Sequence, residues 1–299
     1  MQRTTEATLS RQNMSTFKTL YVEGDIDKQI IEDFLLNKTI NNIRIYRIEA
    51  DKDNICYGSY CRDNSLGAKK QIIEFIRHSN NDDTLDKGKY LGIIDTDLDY
   101  CFNTKENIEN LIYTDYNSME SYLIDLELLK KIFIDNNINN YEIFENNFSV
   151  YLNNFIDFNI CFITQVMHTE EFSEDTLSFD EIPLHSIPFV DKKNDYKINI
   201  ESFKYKVTNN SENWYQHYLR RYVEYQEVQE NCTQRLLEFL HGKYLLKYLI
   251  GIIKDMFTKL NGTAENQIIN SLRDKFIISC KYTQYSLFNH INNFSRSSH

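Results

Sequence analysis

Carboxylates recur in this chain directly after short apolar runs. Glu23 follows the first such run, Asp95 and Asp97 follow a later one, and Glu120 comes shortly after a third. Carboxylate oxygens are the ligands that Mg²⁺ prefers, usually a few of them together with substrate phosphate. Acids crowded at one place repel one another unless a cation lies among them. The pattern therefore predicts a divalent-cation site, for Mg²⁺ or alternatively Mn²⁺.

Each of these acids also has a simpler explanation. Asp25 and Asp27 lie in the first turn of a predicted helix, where the helix dipole favours negative charge, so they are also candidates for capping. An isolated Asp-x-Asp pair is common in solvated turns. Asp99 extends the pair to Asp-x-Asp-x-Asp, which leaves open which two of these acids bind a metal ion.

The elements that must position the acids alternate between strand and helix. Because the carboxyl ends of parallel strands meet at one edge of a sheet, the acids are expected to converge there. Gly24 is expected to permit a tight strand-to-helix turn, and an extended strand end would point Asp95 and Asp97 to the same side. Apolar periodicity gives the β-α-β-α-β-β-α order of an α/β fold with a mostly parallel sheet. The predicted elements are strands 17–22, 43–48, 90–94 and 111–114, and helices 25–37, 68–77 and one opening at 117–124.

The rest of the chain is expected to be mainly helical. We predict a polar N-terminal arm over residues 1–16, a catalytic α/β domain over 17–127 and an accessory helical region over 128–299. Residues 148–163 are apolar and aromatic, and their pattern does not decide between helix and strand. Amphipathic spacing predicts long helices at 213–225 and 232–260, with another at 267–276.

Composition excludes several classes of protein. No apolar run is long enough to span a membrane, the N-terminus lacks a secretory core, and six cysteines form no Cys-x-x-Cys pair, so a reducing cytoplasm is expected. The seven histidines show no zinc-site spacing. The net charge is −11, but basic residues outnumber acidic ones from Lys197 onward, which would suit a cation site beside a groove for a polyanion.

Three basic residues in the second half are candidates for contacting nucleic acid. Lys243 follows a glycine at the start of a predicted helix and could donate to a phosphate oxygen, or could simply be solvated. Arg220 and Arg221 lie among aromatic residues, an arrangement typical of nucleotide binding. The alternative, which the helical spacing favours, is that the aromatic stripe packs into a core.

Together, these motifs resemble a TOPRIM domain, the fold shared by topoisomerases, bacterial primases and OLD-family nucleases. Tyr21–Gly24 resembles the strand-Glu-Gly motif, Asp95–Asp97 the aspartate motif, and Thr114–Glu120 the later Ser/Glu element of the OLD nucleases. The spacing of Glu23 and Asp27 is similar to the paired acids of those nucleases. The chain resembles most the stand-alone TOPRIM effectors encoded beside an ABC-type ATPase in phage-defence pairs such as the PARIS system.

The resemblance implies a metal-dependent endonuclease with two ions. Asp95 and Asp97 would hold the first ion and Asp27 and Glu120 the second, while Glu23 would bind metal or act as a base. It further implies a toxic antiviral effector that cleaves RNA, with transfer RNA the leading candidate, under control of an ATPase partner or of homodimerisation. The alternatives are a nuclease that nicks DNA and a non-catalytic regulatory subunit of an ATPase complex. The chain contains no nucleotide-binding GxxxxGK[ST] motif of its own.

Overall fold

The fold contains a four-stranded parallel sheet with flanking helices and a helical C-terminal part, which confirms the α/β prediction. The structure is a computed structural model. Contacts divide the chain into two compact units, the first comprising Met1–Glu120 and Arg273–His299 and the second Ser121–Leu272. The structure describes residues 16–48, 67–83, 85–97, 99, 104–139, 141–167, 190–191, 196–199 and 236–297.

The sheet of the first unit has the strand order β2-β1-β3-β4, and every neighbouring pair is parallel. The two central strands are buried along their whole length, as their continuous apolar sequences require. Register pairs Tyr21 of β1 with Gly92 of β3, so both strands end at the same edge. The strands are β1 (Lys18–Val22), β2 (Ile43–Arg47), β3 (Tyr90–Ile94) and β4 (Leu111–Tyr113).

The helices of the first unit cover the sheet with apolar side chains. Helix α2 (Ala68–Asn81) packs against β3 so closely that a β-carbon on Gly92 would come within 2.7 Å of the Ile72 side chain. Phe75 and Tyr21 lie in the same core, with ring centroids 4.6 Å apart. Glycine is therefore required at position 92 by the close approach of the helix. The first two helices of this unit are α1 (Asp25–Asn37) and α2 (Ala68–Asn81).

The C-terminal helix, α8 (Ser286–Arg296), belongs to this first unit. The Asp115 carboxylate accepts hydrogen bonds from the N–H groups of Ser286 and Leu287, both at 3.1 Å, and so caps the helix. At the other end, the buried Lys18 ammonium donates to the Ser297 carbonyl at 2.7 Å. The first strand therefore fixes the last helix, although their residues are far apart in sequence.

The second unit is helical with an aromatic core. The undecided stretch 148–163 lies inside the long helix α4. Buried Phe133, Phe144, Tyr151 and Phe155 line its core. Its elements are α3 (Leu126–Asp135), α4 (Glu142–Met167), β5 (Val190–Asp191), β6 (Lys197–Ile198), α5 (Leu236–Phe239), α6 (Gly242–Met256) and the start of α7 (Glu265–Ile278).

The helix predicted over 232–260 is interrupted within its described part. Helix α5 ends at Phe239 and α6 begins at Gly242. The buried Asn159 amide stabilises the break, since it donates to the Phe239 carbonyl at 3.1 Å and accepts from the His241 N–H at 2.8 Å. The prediction of one continuous helix is wrong because a buried side chain satisfies the backbone groups that the break exposes.

The predicted helix over 213–225 lies outside the described residues. Within the described part of the chain, no helix has the length and apolar character to cross a membrane.

Candidate functional site

The acid after β1 and the acid after β3 lie in direct contact. Glu23 Oε1 accepts a hydrogen bond of 2.7 Å from the backbone N–H of Asp95. This bond is possible because β1 and β3 are hydrogen-bonded neighbours that end at one edge. The structure thus brings together two acids that are 72 residues apart in sequence.

Asp95 also connects β3 to the 3₁₀ helix Met119–Leu123, which carries Glu120. Asp95 Oδ1 accepts a hydrogen bond of 3.0 Å from the N–H of Met119, the residue before Glu120. Next to it, the Thr96 N–H donates to the Thr114 hydroxyl at 2.9 Å, and the Thr96 hydroxyl donates to the Thr114 carbonyl at 2.5 Å. These bonds fix the loop after β4 against the end of β3.

Asp27 and Glu23 flank the turn that begins α1. The Asp27 carboxylate accepts a hydrogen bond of 2.8 Å from the Gly24 N–H, so Asp27 does cap the helix. It is nevertheless only 7% exposed, which is unusual for an aspartate that serves only as a cap. Gly24 has a φ of −123° and a ψ of 174°, an extended conformation that any residue adopts. Asp25 points elsewhere and pairs with Arg47 at 2.6 Å.

Asp97 lies in a turn and not on an extended strand end. Its φ is 46°, in the left-handed region that aspartate tolerates better than most residues. Asn117 holds this conformation from both sides: its carbonyl accepts from the Asp97 N–H and its side-chain amide donates to the Asp97 carbonyl, both at 2.7 Å. The strand geometry assumed for Asp95 and Asp97 is therefore wrong at Asp97.

A lysine outside the predicted set of site residues contacts this turn. The Lys69 ammonium lies 2.8 Å from Asp97 Oδ2 and 2.8 Å from Asp99 Oδ2. Lys69 is in the first turn of α2. In a parallel α/β sheet, helices that follow strands begin near the carboxyl edge. A basic residue in such a first turn is the signal by which Lys69 could have been found.

Burial of these carboxyls disfavours their ionised forms. The pKa of Glu23 is raised from 4.5 to about 8, mainly by burial and in part by the charge of Asp97, while the Asp95 N–H bond and the Lys69 charge lower it. Burial likewise raises the pKa of Asp27 to about 7, with the charge of Glu120 as the next cause.

Asp95 follows the same rule. Burial raises its pKa well above the ordinary value, and the charges of Asp27, Glu23 and Glu120 add to the effect. Such mutual repulsion makes the cluster a favourable place for a positive charge at neutral pH.

The donor chemistry of the cluster fits a hard divalent cation, since all of its side-chain donors are carboxylate oxygens. Glu23, Asp27, Asp95, Asp97 and Glu120 are the residues that would hold it. No group of three or more His, Cys, Asp or Glu side chains among the described residues is already arranged around a single ion position.

Of the three basic residues predicted to contact nucleic acid, the structure describes only Lys243. Lys243 occupies the first turn of α6 in the second unit, with its ammonium 5.6 Å from the ring centroid of Tyr244. Arg220 and Arg221 lie outside the described residues. Their roles in binding nucleic acid stay predictions.

No protein-family model matches the chain, and no curated protein does.

Proposed function

We propose that the first unit is the catalytic domain of a Mg²⁺-dependent nuclease with a TOPRIM-like fold. The observation that carries the proposal is the 2.7 Å bond between Glu23 and the Asp95 N–H, which joins two of the acidic motifs at one sheet edge. The motif order of strand-Glu-Gly, Asp-x-Asp and a later glutamate supports the same proposal.

The chain's residues would divide the work of phosphodiester cleavage. Asp95, Asp97, Asp27 and Glu120 would hold the ions, and Glu23 would either join them or accept a proton from the attacking water. Bound Mg²⁺ would supply stabilisation of the charge that develops on the attacking and leaving oxygens. Lys243 is the candidate donor to a non-bridging phosphate oxygen.

RNA is the proposed substrate class, with transfer RNA first, and a partner ATPase is the proposed control. Both follow from the resemblance to stand-alone TOPRIM effectors. DNA presents the same phosphates to the site, so nicking of DNA is a separate outcome of the test. The 2′-hydroxyl is the group through which a protein distinguishes RNA from DNA.

Cleavage by purified protein tests the proposal. The parent, Glu23→Gln and Asp95→Asn would be incubated with Mg²⁺ or Mn²⁺ and a mixture of transfer RNA, ribosomal RNA and single- and double-stranded DNA. Glu32→Gln is the matched control, because Glu32 is a half-exposed acid on α1 that pairs only weakly with Lys28 at 3.7 Å. We expect cleavage by the parent and by the control, and loss of about 100-fold or more in the two site variants.

Mapping of RNA ends in cells identifies the substrate. RNA from cells that express the parent would be compared with RNA from cells that express Glu23→Gln. New ends that depend on Glu23 would name the cleaved species. Equal cleavage by parent and site variants would refute the assigned site.

A regulatory subunit without catalytic activity is the second candidate. The observation in its favour is that Lys69 pairs with both Asp97 and Asp99, two carboxylates of the Asp-x-Asp-x-Asp motif. This candidate predicts stable co-purification with an ATPase partner and no cleavage of any nucleic acid with either metal ion. The cleavage assay above therefore separates the two candidates.

A further inference from the structure

Lys69 places a positive charge at the rim of the acidic cluster. Its ammonium bridges Asp97 and Asp99 at 2.8 Å each, and the Tyr113 ring centroid lies 5.8 Å away. The Lys69 side chain is only 20% exposed, so the contact is sheltered compared with an ordinary surface ion pair. The charge of Lys69 also lowers the pKa of Glu23, against the larger effect of burial.

This ammonium and a divalent cation would compete for the same oxygen. Asp97 Oδ2 accepts the Lys69 contact, and Asp97 is one of the proposed metal ligands. Mg²⁺ binds carboxylate oxygens at about 2.1 Å. An ammonium and a divalent ion on one carboxylate would repel each other. A cation at Asp97 Oδ2 would therefore have to displace Lys69, and a cation at Oδ1 would be repelled by the ammonium on the same carboxylate.

The displaced ammonium would remain near the site. Lys69 lies in the first turn of α2, and its flexible four-carbon stem lets the ammonium rotate about a fixed backbone position. The start of a helix also favours anions through the helix dipole. Since the substrate of the proposed reaction is a phosphodiester, its phosphate is the anion that such a lysine would meet.

We propose, on the basis of the proposed function, that Lys69 is a built-in counter-ion that competes with the divalent cation for Asp97 and then contacts the substrate phosphate. Before substrate binds, Lys69 therefore acts through the Asp97 carboxylate and not on the substrate. Its loss should tighten cation binding, an effect opposite to that of a merely structural defect.

Cation binding without nucleic acid is the first test. The free Mn²⁺ signal in electron paramagnetic resonance would be titrated with the parent, Lys69→Met and the control Lys70→Met, whose lysine is exposed and next in sequence. We expect about 3- to 10-fold tighter Mn²⁺ binding in Lys69→Met, the range for losing two partly exposed ion pairs, and no change in the control. Lys69→Gln is a second neutral variant that keeps a polar head if Lys69→Met does not fold.

The salt dependence of RNA binding tests the proposed contact between Lys69 and the substrate phosphate. Binding of single-stranded RNA in Ca²⁺ would be measured by fluorescence anisotropy over a KCl series. Loss of one phosphate contact should reduce the slope of log K against log salt by about 0.7 in Lys69→Met and not in Lys70→Met.

The outcomes separate this inference from the proposed function. A parent protein that binds no Mn²⁺ would overturn the proposed function. A parent that binds Mn²⁺ while Lys69→Met binds it equally or more weakly would overturn the competition alone. An unchanged salt slope would overturn the phosphate contact.

Discussion

Glu23 gives the first unit a pH dependence of stability whose direction can be derived from its surroundings. Its pKa is about 8 in the folded chain against an ordinary value of 4.5. Between these pH values, the folded state keeps a proton that the unfolded state has lost. The stabilisation from this group is therefore fully present below about pH 4.5 and is lost as the pH rises towards 8.

The size of the effect follows from the same difference. One pH unit inside this window changes the free energy of unfolding by about 1.4 kcal/mol for one such group. From pH 5 to pH 7, the parent should therefore lose up to about 3 kcal/mol through Glu23. Neighbouring carboxyls share protons with Glu23, so their combined effect is smaller than a simple sum. Glu23→Gln removes this contribution and keeps an oxygen that can accept from the Asp95 N–H.

Equilibrium urea unfolding at pH 5, 6, 7 and 8 measures the effect. The difference between Glu23→Gln and the parent at each pH is the relevant quantity, because contributions of the second unit are the same in both proteins. We expect the free energy of unfolding of Glu23→Gln to increase relative to that of the parent as the pH rises. For Glu32→Gln, we expect the same pH dependence as for the parent. Mg²⁺ should stabilise the parent more at pH 7 than at pH 5, since it binds the ionised carboxylates.

If the free energy of unfolding of Glu23→Gln differed from that of the parent by the same amount at every pH, the reasoning would be refuted. This result would mean that the Glu23 carboxyl is solvated and that its neighbours do not act on it. A free energy of unfolding of Glu23→Gln that falls relative to that of the parent as the pH rises would contradict the sign itself.

Three further predictions concern packing and backbone hydrogen bonds. Gly92→Ala should cost about 1–3 kcal/mol in urea unfolding, because its β-carbon would overlap α2, whereas Gly67→Ala, which meets no atom within 4 Å, should change stability little. Asp115→Ala should cost about 1–2 kcal/mol by removing the cap of α8, and hydrogen exchange should increase in that helix; the fully exposed Asp83→Ala is the control. Asn159→Ala should cost about 2–4 kcal/mol, because it leaves two backbone groups at the α5–α6 break without their partner, and a thermal melt that matches the parent would contradict this.

The sheet and its order of elements could be predicted because local signals coincide with tertiary structure. The central strands are continuous apolar runs, and burial of β1 and β3 on both faces is what such runs require. Helix α8 is absent from the predicted elements, although Leu287, Phe288 and Ile291 recur at helical spacing. Its attachment to the first unit depends on Asp115 and Lys18, which are remote in sequence and have no local signal. The break at residues 240–241 was missed for the same reason, because it is Asn159 on another helix that satisfies the exposed backbone groups.

In the candidate site, strand pairing predicts the contact between Glu23 and Asp95 but not the orientation of Asp97. Convergence of Glu23 and Asp95 follows from parallel pairing alone, and the sequence sufficed for it. The orientation of Asp97 depends on a left-handed turn that Asn117 stabilises, and no local pattern encodes that partner. Because this turn directs Asp97 to Lys69, the sequence predicts which acids meet but not how strongly a cation would be held. The cation affinity of this edge would therefore be set by a lysine as much as by the acids, which is why Lys69→Met and Glu23→Gln should shift Mn²⁺ binding in opposite directions.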